Sequence, residues 1–154
     1  MKKQITIDYQ EFSNYSDLSE VEKLMIQKAK LICENAYSPY SHFNVGATVL
    51  LSNGEFVSGS NQENIAYPSG ICAERVALFF AGSNYSKESI QTIVVVSKGD
   101  LISFDGVISP CGSCRQVLLE SEKRQDNPIK VILISQSNKT IVFNSVLDLL
   151  PFAF

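Results

Sequence analysis

The sequence contains no apolar run long enough to cross a bilayer, and its first residues lack the apolar core of a signal peptide. Repeats, linkers and low-complexity stretches are also missing. The 154 residues are therefore expected to form one domain, 1–154, in which 1–18 are an N-terminal extension. Without an export signal, the expected location is cytoplasmic, where cysteines stay reduced. We therefore interpret the cysteines as metal ligands rather than disulfides.

Positive charge is in deficit, because 13 lysines and arginines stand against 16 aspartates and glutamates. The net charge of -3 argues against a nucleic-acid groove, which needs a basic face. The expected partner is a small molecule, with no nucleic acid and no membrane. Histidine is nearly absent, since His42 is the one example and lies in a predicted turn. Neither His42 nor Cys33, which lies deep in a predicted amphipathic helix, is placed to complete a closed metal site.

Three of the four cysteines lie in two short blocks, residues 72–75 (Cys-Ala-Glu-Arg) and 110–116 (Pro-Cys-Gly-Ser-Cys-Arg-Gln), each at the predicted start of a helix. A cysteine in the first helical turn feels the positive end of the helix dipole, which favours the thiolate. Cys111 and Cys114 are three residues apart and so share one face of the turn. One metal ion can therefore bind both, with Cys72 as the third ligand from a neighbouring helix start.

The number of ligands distinguishes between kinds of zinc site. Structural zinc sites close with four protein ligands, whereas catalytic sites leave a position open for water. A Cys-x-x-Cys pair on its own is typical of a redox pair or of half a structural zinc site. The addition of Cys72, with Glu74 two positions later, favours a hydrolytic zinc centre, although other divalent ions also bind thiolates.

The two blocks match the signature of zinc-dependent nucleobase deaminases, in which His or Cys, any residue and Glu are followed by Pro-Cys-x-x-Cys. The matching residues are 72–74 and 110–114. From residue 36 onward, the chain further resembles the homotetrameric cytidine deaminases that act on free nucleosides. That resemblance implies a homotetramer with one Zn²⁺ per subunit. It also implies a role in pyrimidine salvage, by hydrolytic deamination of cytidine and 2'-deoxycytidine to the uridines with release of ammonia.

The resemblance implies separate roles for Glu74 and Arg75, which are as follows for a member of that family. Glu74 is the catalytic residue, which takes a proton from the attacking water, delivers it to ring N3 and helps to protonate the departing ammonia. Zinc bound by three thiolates carries a net negative charge, which weakens its pull on the water proton. Arg75 matches an arginine that hydrogen-bonds the thiolate sulfurs and so offsets this charge. The alternative for Arg75 is a surface arginine one turn into a helix.

The substrate-binding residues implied by the same resemblance are Phe43, Asn61, Gln62, Glu63, Ala73 and Phe154. Asn61 and Glu63 would hydrogen-bond the ribose 3'-hydroxyl, since residues two apart on an extended segment point to the same side. Phe43 would pack on the base, and Phe154 would enter the site of a neighbouring subunit. On their own, residues 61–63 would be interpreted as a polar loop and Phe43 as a core phenylalanine.

Hydrophobic periodicity predicts a three-layer α/β/α domain with a mixed sheet of about five strands, the cytidine-deaminase-like fold that the resemblance implies. Ser19 and Glu22 form an expected capping box, Pro110 suits a first helical position, and residues 52–55 (Ser-Asn-Gly-Glu) predict a hairpin. The predicted helices are 19–36, 73–81, one that starts at 110 and a short one from 144 or 145 to 150. The predicted strands are 45–51, 56–59, 92–97, 130–135 and 140–143, with weaker indications at 5–9 and near Ile102.

Two other enzymes and one binding protein are alternatives. A blasticidin-type deaminase shares the zinc motif and much of the fold, but Arg75 and the Asn61-x-Glu63 pair favour the nucleoside enzyme. A polynucleotide-editing enzyme would need a basic, aromatic channel, which this acidic chain lacks. A non-catalytic zinc module would need neither Glu74 nor an incomplete set of ligands.

Overall fold

Six strands form one sheet in the computed structural model, which describes residues 1–153. The strands are β1 (Gln10–Phe12), β2 (Asn44–Leu51), β3 (Phe56–Ser60), β4 (Ile90–Lys98), β5 (Lys130–Ile134) and β6 (Thr140–Phe143). They lie in the order β1-β6-β5-β4-β2-β3, with β4 and β5 parallel and the other neighbours antiparallel. The mixed sheet is confirmed, but the expected number of about five strands is too low, because β1 adds a sixth.

Strand β1 lies outside the predicted range 5–9. Ile5 and Ile7 alternate with polar residues, yet they lie in no strand and remain 50% and 42% exposed. An alternating pattern predicts a strand only where something covers its apolar side. The chain pairs instead at Gln10–Phe12, where it covers the edge of β6 opposite residues 140–142. Part of the expected N-terminal extension 1–18 therefore belongs to the sheet.

Three α-helices cover the two faces of the sheet. They are α1 (Glu20–Cys33), α2 (Ala73–Asn84) and α3 (Gly112–Lys123), and none is long and apolar enough to cross a membrane among the residues described. On one face, Met25 and Ala29 of α1 pack in a cluster with Val94 of β4. On the other face, α2 and α3 pack in a cluster that contains Ile93 and Val95. Alternate residues of β4 thus enter both cores, which explains its uninterrupted apolar run and gives the predicted three layers.

Local sequence signals predict the ends of several elements correctly. Ser19 caps α1, and its N–H donates to the Glu22 carboxylate at 2.9 Å in the predicted capping box. Residues 52–55 form the turn of the β2–β3 hairpin, in which Gly54 has a φ of 86°. The last predicted helix is a 3₁₀ helix, Val146–Leu149, which we call the C-terminal 3₁₀ helix. No strand is present near Ile102 in the described part of the chain.

Gly46 lets α1 lie directly on β2. A Cβ atom at this position would be 2.1 Å from the Ala29 carbonyl oxygen and 2.9 Å from the Cys33 backbone nitrogen. These contacts involve helix backbone, which cannot rotate away as a flexible side chain does. The close approach of α1 to the sheet therefore requires glycine at position 46.

We expect Gly46→Ala to lower the free energy of unfolding by about 2–3 kcal/mol, because α1 must move off the sheet to make room for the methyl group. The matched control is Gly82→Ala on α2, where a Cβ would meet nothing within 4 Å. That control should stabilise the protein by about 0.5 kcal/mol, since alanine is the better helix former. Urea unfolding measures the change in the free energy of unfolding for each variant. Equal changes in the two variants would contradict the role of the close contact.

Candidate metal centre

The first turns of α2 and α3 bring three cysteines together. Cys72 is the N-cap residue of α2, Cys111 is the N-cap residue of α3, and Cys114 lies in the first turn of α3. The Cys111 Sγ accepts a hydrogen bond from the Cys114 N–H at 3.4 Å, and so replaces the side-chain oxygen that usually caps a helix. The expectation that Pro110 is the first helical residue is wrong, because Cys111 is extended and α3 begins only at Gly112.

The start of α2 is placed by its contact with β3. A Cβ atom on Gly59 of β3 would be 2.8 Å from both the Ala73 carbonyl oxygen and the Ala77 nitrogen. The helix backbone therefore lies against the strand without an intervening side chain. This contact sets the position of Cys72, which immediately precedes the helix.

The three sulfur atoms fit a single metal ion. The Sγ atoms of Cys72 and Cys111 are 3.9 Å apart, those of Cys111 and Cys114 are 3.4 Å apart, and all three lie within 4.8 Å of one another. Tetrahedral zinc with Zn–S bonds of about 2.3 Å places its sulfur ligands about 3.8 Å apart. A disulfide needs about 2.0 Å, and all three cysteines are free. Within residues 1–153, no fourth histidine, cysteine or acidic side chain joins this cluster.

The surroundings of Cys72 favour its thiolate. A hydrogen bond with Cys114 and one from Arg75 lower the pKa of Cys72 to about 5, although burial acts in the opposite direction. The Arg75 Nη2 donates to the Cys72 Sγ at 3.5 Å, and this contact raises the pKa of the arginine. The Nε of Arg75 is buried and has no hydrogen-bond partner among the described residues. A cation with an unused donor beside clustered sulfurs suits a site that concentrates negative charge.

Glu74 is a buried carboxyl group beside the same sulfurs. It lies in the first turn of α2 and is 5% exposed. Burial, and next the negative charge of Cys72, raise the pKa of Glu74 to about 7. A carboxyl group with this pKa can both accept and return a proton near neutral pH. The cluster therefore combines three sulfur atoms that could hold a metal ion with a buried carboxyl group of raised pKa.

Asn61 and Glu63 organise the loop that carries Phe43. The Asn61 amide donates to the Phe43 carbonyl oxygen at 2.9 Å and accepts from the Val45 N–H at 2.7 Å. The Glu63 carboxylate accepts from the Tyr40 N–H at 2.9 Å, and also from the hydroxyl and N–H groups of Ser41. These hydrogen bonds lower the pKa of Glu63, that with the Ser41 side chain most strongly. Sequence reasoning identified both residues but missed these loop contacts.

Gln62 connects this segment to the metal centre. Its backbone N–H and carbonyl group both pair with Ile71, at 2.9 Å each, and Ile71 directly precedes Cys72. Ala73 is fully buried and belongs to the same hydrophobic cluster as Phe43, which is 4% exposed. The predicted site residues between positions 43 and 75 therefore lie on one side of the sheet. The remaining predicted site residue near the terminus, Phe154, lies outside the described residues.

A domain with helices on both faces of a mixed sheet, and with three sulfur ligands and a buried carboxyl group at two helix starts, has the features of the zinc-dependent deaminases. Comparison with known proteins gives the family within that class. Residues 19–126 match the family model described as the cytidine and deoxycytidylate deaminase zinc-binding region. The chain belongs to this family, which confirms the resemblance inferred from its two motifs and the expectation that it is an enzyme.

Relatives and solved structures agree with this placement. A cytidine deaminase of Sporosarcina psychrophila is 39% identical over 135 residues, which cover 88% of this chain and 91% of the relative. The crystal structure of cytidine deaminase from Burkholderia pseudomallei matches with a TM-score of 0.74 and 38% identity, covering 86% of this chain and 98% of that one. The cytidine deaminase structure from Mycobacterium tuberculosis matches with a TM-score of 0.64 and 30% identity, and the match covers 86% of this chain and 96% of that one.

Replacement of Arg75 by alanine is expected to weaken Zn²⁺ binding about tenfold or more while leaving the fold largely intact. The variant removes the donor to Cys72 and leaves the negative charge of the thiolates without its compensating cation. Competition with a chromogenic chelator measures the affinity, and thermal unfolding reports on the fold. Arg124→Ala, at the exposed end of α3, is the matched control. If Arg75→Ala binds Zn²⁺ and turns over substrate as the control does, the role of Arg75 is refuted.

Proposed function

We propose that this chain catalyses the hydrolytic deamination of cytidine and 2'-deoxycytidine to uridine and 2'-deoxyuridine, releasing ammonia in pyrimidine salvage. The observation that carries the proposal is the cluster of Cys72, Cys111 and Cys114 beside the buried carboxyl group of Glu74. A redox pair or a structural metal site has no need of such a carboxyl group. The proposed cofactor is one Zn²⁺ per subunit, since zinc prefers tetrahedral sulfur donors.

Bound zinc lowers the pKa of water and so supplies a nucleophile near neutral pH. Glu74 accepts one proton from the attacking water, whose oxygen bonds to C4 of the base, and delivers that proton to ring N3. Glu74 then takes the second proton of the water from the oxygen now bonded to C4 and delivers it to the exocyclic amino nitrogen as the C4–N bond breaks, while N3 keeps its proton in the uridine product. The net result is the exchange of an amino group for an oxygen, with ammonia as the second product. A pKa near 7 suits one carboxyl group for these successive transfers.

Asn61 and Glu63 retain the capacity to bind the ribose 3'-hydroxyl. An amide group offers two donors and two acceptor positions, and a carboxylate offers about four acceptor positions. The loop contacts occupy one donor and one acceptor position of Asn61 and three acceptor positions of Glu63. The remaining positions allow Asn61 to donate to the hydroxyl oxygen and Glu63 to accept its proton.

The remaining substrate contacts are proposed for Phe43, Gln62 and Ala73. Phe43 and Ala73 belong to one hydrophobic cluster, which supports a base held between the loop and the start of α2. Gln62 pairs by its backbone with Ile71, so its place next to Cys72 is well defined. We propose that these residues contact the base and the sugar.

The active enzyme is proposed to be a cytoplasmic homotetramer of single-domain subunits, in which Phe154 reaches the site of a neighbouring subunit. Phe79 and Phe80 support an assembly, because they are 51% and 53% exposed on the same helix that begins at the metal centre. Adjacent exposed aromatic side chains are a feature of surfaces that bind a partner. Sedimentation velocity, with turnover measured on dilution, tests the proposal, since a fully active monomer would contradict it.

One assay with metal analysis tests the function. Purified protein mixed with cytidine should lower the absorbance of the nucleoside and release ammonia, with one zinc per chain found by elemental analysis. Blasticidin S and a cytosine-containing oligonucleotide, tested in parallel, should react far more slowly. No loss of absorbance from zinc-loaded protein would favour a non-catalytic zinc module, and activity in metal-free protein would refute the mechanism.

A further inference from the structure

Arg115 links the metal centre to the C-terminal 3₁₀ helix. Its Nε donates to the Pro110 carbonyl oxygen at 2.8 Å, and its Nη2 donates to the Ser109 hydroxyl at 2.8 Å. Its Nη1 donates to the Leu149 carbonyl oxygen at 3.0 Å. One guanidinium group thus holds the two residues before Cys111 and, at the same time, the last residue of the C-terminal 3₁₀ helix.

Arg115 differs from Arg75 in the atoms to which it donates. Arg75 donates to the sulfur of Cys72, whereas the three hydrogen bonds of Arg115 go to oxygen atoms. Arg115 therefore acts on backbone position rather than on the charge of the thiolates. The planar fork of a guanidinium group can serve acceptors in several directions at once, which the single ammonium group of lysine does poorly.

The other end of the C-terminal 3₁₀ helix is also held by α3. Glu122 lies two turns after Arg115 and is buried, with its carboxylate accepting from the Val146 N–H at 3.0 Å and the Ser145 hydroxyl at 2.7 Å. The 3₁₀ helix is only four residues long, so its own hydrogen bonds do little to place it. Contacts with α3 therefore determine where this segment lies.

We propose that Arg115 is a positioning residue, which makes the alignment of Cys111 with Cys114 depend on the C-terminal 3₁₀ helix. By holding the carbonyl group of Pro110, Arg115 restrains the residue before Cys111. Because Arg115 also holds the carbonyl group of Leu149, a displacement of the C-terminal 3₁₀ helix would displace Arg115 and, with it, the residues before Cys111. The inference rests on the proposed metal site, but not on the proposed substrate.

The first test measures Zn²⁺ transfer from full-length protein to a chromogenic chelator, without substrate. We expect Arg115→Met to release Zn²⁺ about tenfold faster or more, and Arg115→Lys to resemble it because lysine cannot hold three acceptors. Arg124→Met, on the same helix, is the matched control and should release Zn²⁺ at the wild-type rate. Release from Arg115→Met within twofold of this control would overturn the proposal.

A second measurement separates positioning from a general loss of stability. With Co²⁺ in place of Zn²⁺, the visible absorption bands report on the arrangement of the thiolates. Arg115→Met should alter these bands, whereas Gly46→Ala, which destabilises the opposite face of the sheet, should not. Equal spectra for Arg115→Met and the wild type, or an equal change in both variants, would show that Arg115 has only a structural role.

A double-mutant cycle tests the dependence on the C-terminal segment. Leu149→Ala, which loosens the buried end of the 3₁₀ helix, should speed Zn²⁺ release about threefold or more in the wild type but much less when combined with Arg115→Met. If the two substitutions instead had additive effects on the rate of Zn²⁺ release, the proposed dependence of the metal centre on the C-terminal 3₁₀ helix would be overturned. Because the readouts need no nucleoside, a protein that fails to deaminate cytidine could still pass this test, and an active deaminase could fail it.

Discussion

Glu74→Gln is expected to lower kcat for cytidine by about 10²- to 10⁴-fold while the protein keeps its zinc. Glutamine has the same shape as glutamate but cannot accept a proton from water and return it to the base. Glu74 is 5% exposed, so bulk water has little access to replace it as the proton acceptor. The proposed metal ligands Cys72, Cys111 and Cys114 are unchanged in this variant, and the zinc content should therefore stay at one per chain.

The matched control for this variant is Glu120→Gln on α3, where the glutamate is exposed to solvent. It makes the same change of charge and should leave kcat and zinc content at their wild-type values. Steady-state kinetics with elemental analysis of each preparation gives both readouts. Near-normal turnover by Glu74→Gln with zinc bound would show that another group transfers the proton.

Cys114→Ala is expected to weaken Zn²⁺ binding by about 10²-fold or more and to abolish measurable turnover at ordinary zinc concentrations. Structural zinc sites with four ligands bind with roughly 10–16 kcal/mol, so one ligand contributes about 2.5–4 kcal/mol. Cys114 is fully buried, and its sulfur lies 3.4 Å from the Cys111 sulfur, so the alanine variant removes one of the three sulfur atoms of the cluster. Chelator competition measures the affinity, and the assay with cytidine measures turnover.

Cys33→Ala is the matched control for the loss of a thiol. Cys33 is also buried, but it is the last residue of α1, lies in the hydrophobic cluster on the opposite face of the sheet and is not part of the sulfur cluster. Burial raises the pKa of Cys33 to about 11, which keeps it as a neutral thiol that binds metal poorly. This variant should retain zinc and activity, and a loss of zinc from it equal to that from Cys114→Ala would contradict the assignment of the ligands.

The cluster of three cysteines could be predicted because the spacing of its residues determines their geometry. Cys111 and Cys114 are three residues apart at a helix start, so one turn of helix brings their sulfurs together. The elements with buried faces, such as α1 and β4, were also predicted well, because burial imposes a regular pattern of apolar residues. Strand β1 was missed because an edge strand of three residues has too little buried surface to produce such a pattern.

The contacts of Glu63 show what local patterns do not contain. Its partners Tyr40 and Ser41 lie more than 20 residues earlier in the chain. Nothing near Glu63 in the sequence indicates that its carboxylate binds this loop. The hydrogen bond from Arg115 to Leu149 could not be predicted for the same reason, since it joins residues 34 apart.

The sequence by itself determined the chemistry of this protein: three thiols and a carboxyl group at two helix starts, and the family to which that pattern belongs. Only the tertiary structure decided the burial that raises the pKa of Glu74, the pairing of Arg75 with Cys72 and the hydrogen bond from Arg115 to the C-terminal 3₁₀ helix. The physical reason is that residue type and spacing define which groups are available within one turn of helix. Burial, and contacts between distant segments, depend on how the helices and the sheet pack.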